Sequence, residues 1–383
     1  MTDIDAVVLE KPYYPRLDAL RFYSAFAVII THVELIKMFH GLPHAWNNPF
    51  LQNLGPAGVY FFFTLSGFLI TRLLLYEKQV SDHISVWNFY VRRSLRIWPL
   101  YFFCVALGFF ILPAFSLFDV PGQSNNLEEN FATKLVLYLA FLPHVAGAIY
   151  DKVPNIGQLW SIGVEEFFYL FWPVIVLGFG TRMRRYVALL LLMLAGKVAF
   201  LIALRVSPEP SSAMMAWKEV LAASKFECMI IGGIFALPYI MRWKRLLSHP
   251  GVVTASLLLI PPTFLFYSTP FDDPAFLVFS LLFAIVMWNC SEKEPTAVIS
   301  NRLFNYFGRI SYGIYCYHFL VIALVVNATP RRWFDNIWLS TAFVYSSVTV
   351  LTILISIASF MWFEQPFNRM KGRFGYKEKA RVE

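Results

Sequence analysis

Apolar runs of roughly 20 residues, the length a helix needs to cross a bilayer, recur from one end of the chain to the other. They predict spans at about 17–37, 55–76, 96–117, 159–180, 185–205, 221–241, 251–269, 275–290, 306–327 and 338–362. An eleventh apolar piece, "TKLVLYLAFLPHVAGA" (133–148), is shorter and carries Pro143 and His144. The segments between the runs differ in charge. Arginine and lysine collect in 77–96, in "TRMRR" (181–185), in "MRWKR" (241–245) and in the closing "RMKGRFGYKEKAR", whereas "DVPGQSNNLEEN" (119–130) and "STPFDDP" (268–274) are polar or acidic. Basic loops stay on the cytoplasmic side. For all four to face it, one piece between 117 and 180 must fail to cross, and 133–148 is the shortest. The pattern predicts an all-α polytopic membrane protein with ten transmembrane helices, both termini cytoplasmic and one re-entrant or interfacial outer segment. "TPRRWFDN" (329–336) runs mildly against this, with two arginines on the outer side.

Composition narrows the class. Of 383 residues, 58% are hydrophobic and 15% charged, against about 25% charged in soluble chains, and mean hydropathy is +0.58. No Pro/Gly/Ser-rich linker or polar block is long enough for a separate soluble module, so 1–383 reads as one membrane domain. The first run lacks a small-residue cleavage site and contains Asp18, Arg21 and His32, which predicts a retained span and not a signal peptide. The net charge of +8 sits between spans, where topology accounts for it without nucleic acid. The cysteines (Cys104, Cys228, Cys290, Cys316) show no paired spacing, so neither disulfides nor a metal site is expected. No internal repeat is evident.

Ionisable residues inside spans are costly and face a bundle interior or a cavity. On this threading Arg21, Arg72, Arg93 and Arg96 lie near cytoplasmic helix ends. His32 lies about five residues from the outer end of the first span and Glu165 about six residues into the fourth, which predicts a common depth for the two at 1.5 Å per residue. Arg21 and His32 are eleven residues apart, close to three turns, so they share a face about 16 Å apart along the axis. Plainer readings stand beside these: His32 as a structural histidine bonded to a neighbouring helix, and the arginines, Arg92 above all, as topogenic charges snorkelling to headgroups. Glu166 points about 100° from Glu165, which suits an interhelical ion pair. His40 and His44 read as loop surface residues.

The segments "LDALRFYSAFAVIITH", "FFTLSGFLIT", "FYVRRSLRIWPLY", "QLWSIGVEEFFYLFWP", "ISYGIYCYHFLV" and "FEQPFNRMKGR" occur in the order seen in the acyltransferase 3 family, and the chain resembles that family from about residue 14 to residue 373. The resemblance implies a ten-helix membrane enzyme that moves an acyl group, usually acetyl from acetyl-CoA, to a hydroxyl of a surface or exported glycan, or of a lipid or small metabolite. It implies Arg21 and His32 as the first-span pair, Arg93 and Arg96 as the R-x-x-R pair, and Glu165 as the acidic residue of W-S-x-x-x-E. His318 is the late aromatic-His element, and Glu364 is a structural E-x-P glutamate. Phe167 departs from the polar residue common there. The chain stops about twenty residues after its last predicted span, as in stand-alone members, which are mostly bacterial inner-membrane proteins.

On this reading acetyl-CoA is a substrate, and no cofactor is permanently bound. Its phosphates call for arginines, which bind phosphate bidentately; Arg93 and Arg96, with Arg21 and more weakly Arg72, are the expected set. His32 is the expected general base, its other nitrogen held by Glu165 as a carboxylate holds histidine in a serine-protease triad. A covalent acetyl-histidine remains open. Glu227, His318 and Glu166 are further candidates for acceptor contacts. A transporter using His32 and Glu165 as a proton relay is the alternative of a different class. It lacks support from repeat-like halves or paired broken spans.

Overall fold

The computed structural model describes residues 14–123, 127–263, 275–292 and 301–375. Among these the chain is helical throughout, with no strand. In chain order the helices are α1 (Pro15–Phe39), α2 (Pro49–Ser81), α3 (Val86–Ala106), α4 (Phe131–Leu139), α5 (Pro143–Ile149), α6 (Leu159–Phe179), α7 (Met183–Val206), α8 (Ser212–Ala223), α9 (Phe226–Phe235), α10 (Lys244–Leu247), α11 (Pro250–Thr263), α12 (Ala275–Glu292), α13 (Arg302–Arg309), α14 (Ser311–Ala328), α15 (Ile337–Ala358) and α16 (Gln365–Met370).

Eight helices among the described residues are long and apolar enough to cross a membrane, nine if a bent pair counts as one span. Among the described residues, one of the ten predicted spans differs from a plain membrane helix. The span at 221–241 is broken, with Ser212–Phe235 and Pro238–Leu247 meeting at 69°. Leu237 is extended before Pro238, as a residue preceding proline tends to be. Of the span predicted at 251–269, the described part is helical over Pro250–Thr263, with Pro261 and Pro262 inside the helix, and the remainder lies outside the described residues. So do the acidic loop 268–274 and both chain ends, on which the predicted sidedness leans.

The piece at 133–148 forms two helices of 9 and 7 residues. At 1.5 Å per residue neither can cross a bilayer. Phe141, at φ 59°, and Pro143 separate them, so the apolar pattern does not become one helix.

The core is built on α1, α2 and α9. Without a hydrophobic force between helices in lipid, small residues set how closely backbones approach. A Cβ on Gly67 of α2 would overlap the Met229 carbonyl of α9, and one on Gly232 of α9 would overlap the Thr64 carbonyl of α2. Between α1 and α2, the Thr31 hydroxyl donates to the Leu51 carbonyl at 2.7 Å and accepts from the Gly55 amide at 2.7 Å. Alongside, a Cβ on Gly58 would come within 2.7 Å of the Ser24 carbonyl. These contacts run α1 and α2 antiparallel and give the bundle a scale of depth: Arg21 marks one end and His32 the other.

Candidate active site

Two adjoining cavities, of about 100 Å³ and about 250 Å³, occupy the bundle at the Arg21 end. Arg21, Leu69, Arg93 and Arg96 line both. The larger reaches Tyr14, Asp18 and Arg309; the smaller runs past Ser66 and Glu165 to Ser161 and Tyr315.

The arginines reach this space from two helices. α3 starts at an N-cap, where the Ser85 hydroxyl accepts from the Asn88 amide at 3.4 Å, and its i,i+3 spacing puts Arg93 and Arg96 on one face. Arg92 turns elsewhere, bonding Glu77 and the Phe374 carbonyl, each at 2.7 Å. Arg21 is paired with Asp18 at 2.5 Å. Arg93 lies against the rings of Phe89 and Tyr169, 5.7 and 5.8 Å from their centroids. Among the described residues neither Arg93 nor Arg96 has a carboxylate at ion-pair distance.

Glu165 belongs to this layer. Its carboxylate accepts from Tyr169 at 2.9 Å and from Ser66 at 3.2 Å, and Tyr169 also donates to Ser66 at 3.0 Å. The predicted common depth with His32, and the hydrogen bond between them, are therefore corrected. The reason is where α6 begins. The Gln158 side chain, just before the helix, donates to the Cys316 carbonyl at 2.7 Å, and Ser161 meets the Tyr315 hydroxyl at 2.6 Å. Cys316 lies near the Ser311 end of α14, so α6 starts well inside the bundle. Seven further residues carry Glu165 another ~10 Å towards the Arg21 end.

His32 has a different partner. Its Nδ1 lies 2.8 Å from Nε2 of His318, with the two ring planes 15° apart and the centroids separated by 5.0 Å. Nδ1 of His318 donates to the Tyr315 carbonyl at 2.7 Å. His318 is fully buried, whereas His32 is partly exposed.

Four other candidates are placed away from the cavities. Arg72 pairs with Glu292 at 3.2 Å and lies over Phe68, 5.3 Å from its centroid, so it does not join the arginine set. Glu227, completely buried, pairs with Lys197 at 2.7 Å, a bond between α9 and α7 and not an acceptor contact. Glu166 forms no ion pair among the described residues: it accepts from the Trp98 indole at 2.9 Å, and its other oxygen is buried without a hydrogen bond. Glu364 accepts from Ser359 at 3.0 Å inside the π-helical turn Ser359–Glu364. His40, expected as a plain surface residue, joins two helices: Nδ1 donates to the Ile36 carbonyl at 2.9 Å and Nε2 lies 3.0 Å from Oδ1 of Asn327.

Ser66, Tyr169, Ser161, Tyr315 and Arg309 line the cavities and were not singled out from sequence. Tyr169 had a legible signal, standing one turn after Glu165. The others depend on which helices touch.

The molecule is thus a polytopic helical membrane protein with a cation-lined interior cavity at one end of α1 and a histidine pair towards the other. Residues 14–361 match the acyltransferase domain of the acyltransferase 3 family, and the chain belongs to that family. It is 25% identical over 379 residues to the peptidoglycan O-acetyltransferase OatA of Listeria monocytogenes, covering 94% of this chain and 56% of that protein. To the O-acetyltransferase OatA of Staphylococcus aureus it is 23% identical over 385 residues, covering 94% and 59%. The chain therefore spans little more than half the length of these relatives. No solved structure matches it.

Proposed function

We propose that this protein is a membrane O-acetyltransferase that moves the acetyl group of acetyl-CoA to a hydroxyl of a surface or exported glycan, in the plasma membrane of a bacterium. The observation that carries the reading is the cavity where Arg21, Arg93 and Arg96 converge, the last two without a carboxylate at ion-pair distance among the described residues. Guanidinium groups in a partly desolvated cavity suit the pyrophosphate and 3′-phosphate of coenzyme A. The relatives that act on peptidoglycan favour a glycan acceptor over a lipid or small metabolite.

In this reading the slender pantetheine arm carries the thioester from the arginine layer towards His32, about 16 Å further along α1. The acceptor hydroxyl attacks the thioester carbonyl, an O–C bond forms and the C–S bond breaks. The hydroxyl proton passes to His32 and then to the departing thiolate. Glu165, inside the arginine layer, contributes to the shape and charge of the donor cavity and not to the imidazole.

The test is acetyl transfer from radiolabelled acetyl-CoA to a glycan extract by purified protein in lipid nanodiscs. Wild type should transfer label, His32→Ala should not, and Arg93→Ala should do so only at raised acetyl-CoA. Protein that neither binds nor consumes acetyl-CoA would overturn the reading and favour a transporter.

A further inference from the structure

The geometry points to His318 as the positioning residue that sets the tautomer of His32, leaving Nε2 of His32 as the bare, basic nitrogen. This rests on the reading of His32 as the base.

The chain of hydrogen bonds starts at an atom with no freedom of role. A backbone carbonyl only accepts, so at 2.7 Å from the Tyr315 carbonyl Nδ1 of His318 carries a hydrogen. A neutral imidazole has one N–H, so Nε2 of His318 is an acceptor. The contact of 2.8 Å between that atom and Nδ1 of His32 then requires the hydrogen on Nδ1 of His32. Nε2 of His32, which makes no hydrogen bond among the described residues, is left with its lone pair. The order Tyr315 carbonyl, His318, His32 thus fixes two tautomers from one peptide group.

Packing holds the chain in place. The ring planes lie within 15° of each other, as an in-plane N–H···N bond requires, and Phe319 lies 4.5 Å from His32 and 5.5 Å from His318, centroid to centroid. His318 has no accessible surface and both its nitrogens are engaged, so it cannot itself meet an acceptor. When Nε2 of His32 takes the hydroxyl proton, the Nδ1–H bond to His318 becomes charge-assisted and shortens. His318 therefore takes the place expected of Glu165, with an uncharged acceptor where a triad has a carboxylate.

The test separates tautomer from turnover. Solid-state NMR of ¹⁵N-histidine-labelled protein in nanodiscs, with the His32 signals assigned through His32→Gln, should show Nδ1 protonated and Nε2 bare. His318→Gln presents an amide oxygen near the position of Nε2, so it should keep that tautomer and most of the transfer rate. His318→Leu removes the acceptor; it should shift His32 towards the Nε2–H form and lower kcat about 10²-fold with little change in KM for acetyl-CoA. The inference is overturned if wild-type His32 carries its hydrogen on Nε2, or if His318→Leu leaves the tautomer unchanged. Should His32→Gln retain full transfer while the NMR tautomers are those stated, the base assignment fails and the positioning role in catalysis with it.

Discussion

Arg93 and Arg96 stand one helical turn apart on α3 and line the same two cavities, where the carboxylate of Glu165 is held by Ser66 and Tyr169 and by neither arginine. Asp18 neutralises Arg21, but among the described residues Arg93 and Arg96 have no carboxylate at ion-pair distance, which is the electrostatic condition for taking up a polyanion.

Removing either arginine should weaken acetyl-CoA binding directly. Hydrogen bonds to charged groups are each worth about 1.5–3 kcal/mol, so Arg93→Ala and Arg96→Ala should each raise Kd about 10- to 100-fold. Arg93→Lys keeps the charge but loses the planar fork and should fall between. Titration of acetyl-CoA into protein in nanodiscs measures this; an unchanged Kd in both alanine variants would remove the donor from this cavity.

Glu165→Gln distinguishes the two places this residue could have held. As the carboxylate of a histidine dyad, its neutralisation would cost about 10⁴-fold in kcat. Bound to Ser66 and Tyr169 in the donor layer, it should leave kcat within about tenfold of wild type and, by removing a negative charge beside the arginines, should not raise KM for acetyl-CoA. Steady-state kinetics on this single variant decides between them.

The ion pair of Arg72 with Glu292 should matter to stability and not to binding. Breaking a largely buried pair from one side leaves an uncompensated charge. Arg72→Met should destabilise by about 2–4 kcal/mol, seen as a lower Tm in detergent, and Arg72→Met with Glu292→Leu should recover part of that. Acetyl-CoA affinity should stay at the wild-type value in both.

Gly67→Ala and Gly232→Ala each place a methyl group against a backbone carbonyl of the facing helix. Overpacking of this kind costs about 1–3 kcal/mol. Since α2 also carries Ser66, both changes should lower Tm and raise KM for acetyl-CoA together. An unchanged Tm would mean that the close approach of α2 and α9 does not limit stability.

His144, on the short α5, is pushed down to about 4 by burial, and its Nδ1 has no hydrogen bond. The unfolded chain takes up a proton near ~6.5 that the folded chain refuses until about pH 4. Stability should thus be level above about pH 6.5 and fall as the pH drops towards 4, by about 2 kcal/mol at pH 5. Thermal melts at pH 7.5 and 5 should show the drop, and His144→Phe should flatten it.

Much of the architecture was open to a reader of the sequence. Length and hydropathy located the eight helices that, among the described residues, are long and apolar enough to cross a membrane, and the short piece at 133–148 was set apart by its length and Pro143. The break near 237 was harder, because a window averages over Pro238 while the backbone bends there. The arginine layer was also readable, since i,i+3 spacing on α3 and a single turn between Asp18 and Arg21 are local facts.

Depth and partner choice were not. Glu165 and His32 sit at matching distances from the ends of their apolar runs, so hydropathy assigns them one level. Yet α6 begins inside the bundle, where Gln158 meets the Cys316 carbonyl, and that contact joins residues 158 positions apart. The same holds for His32 and His318, for Arg72 and Glu292, and for Glu227 and Lys197. Sequence by itself determined which segments are helical, which faces they present and which charges they carry, because helix formation and burial in lipid depend on nearest neighbours along the chain. Only the tertiary structure decided which of those charges meet, because a polar group in an apolar bundle bonds to whatever the packing of glycines and helix breaks brings within about 3 Å.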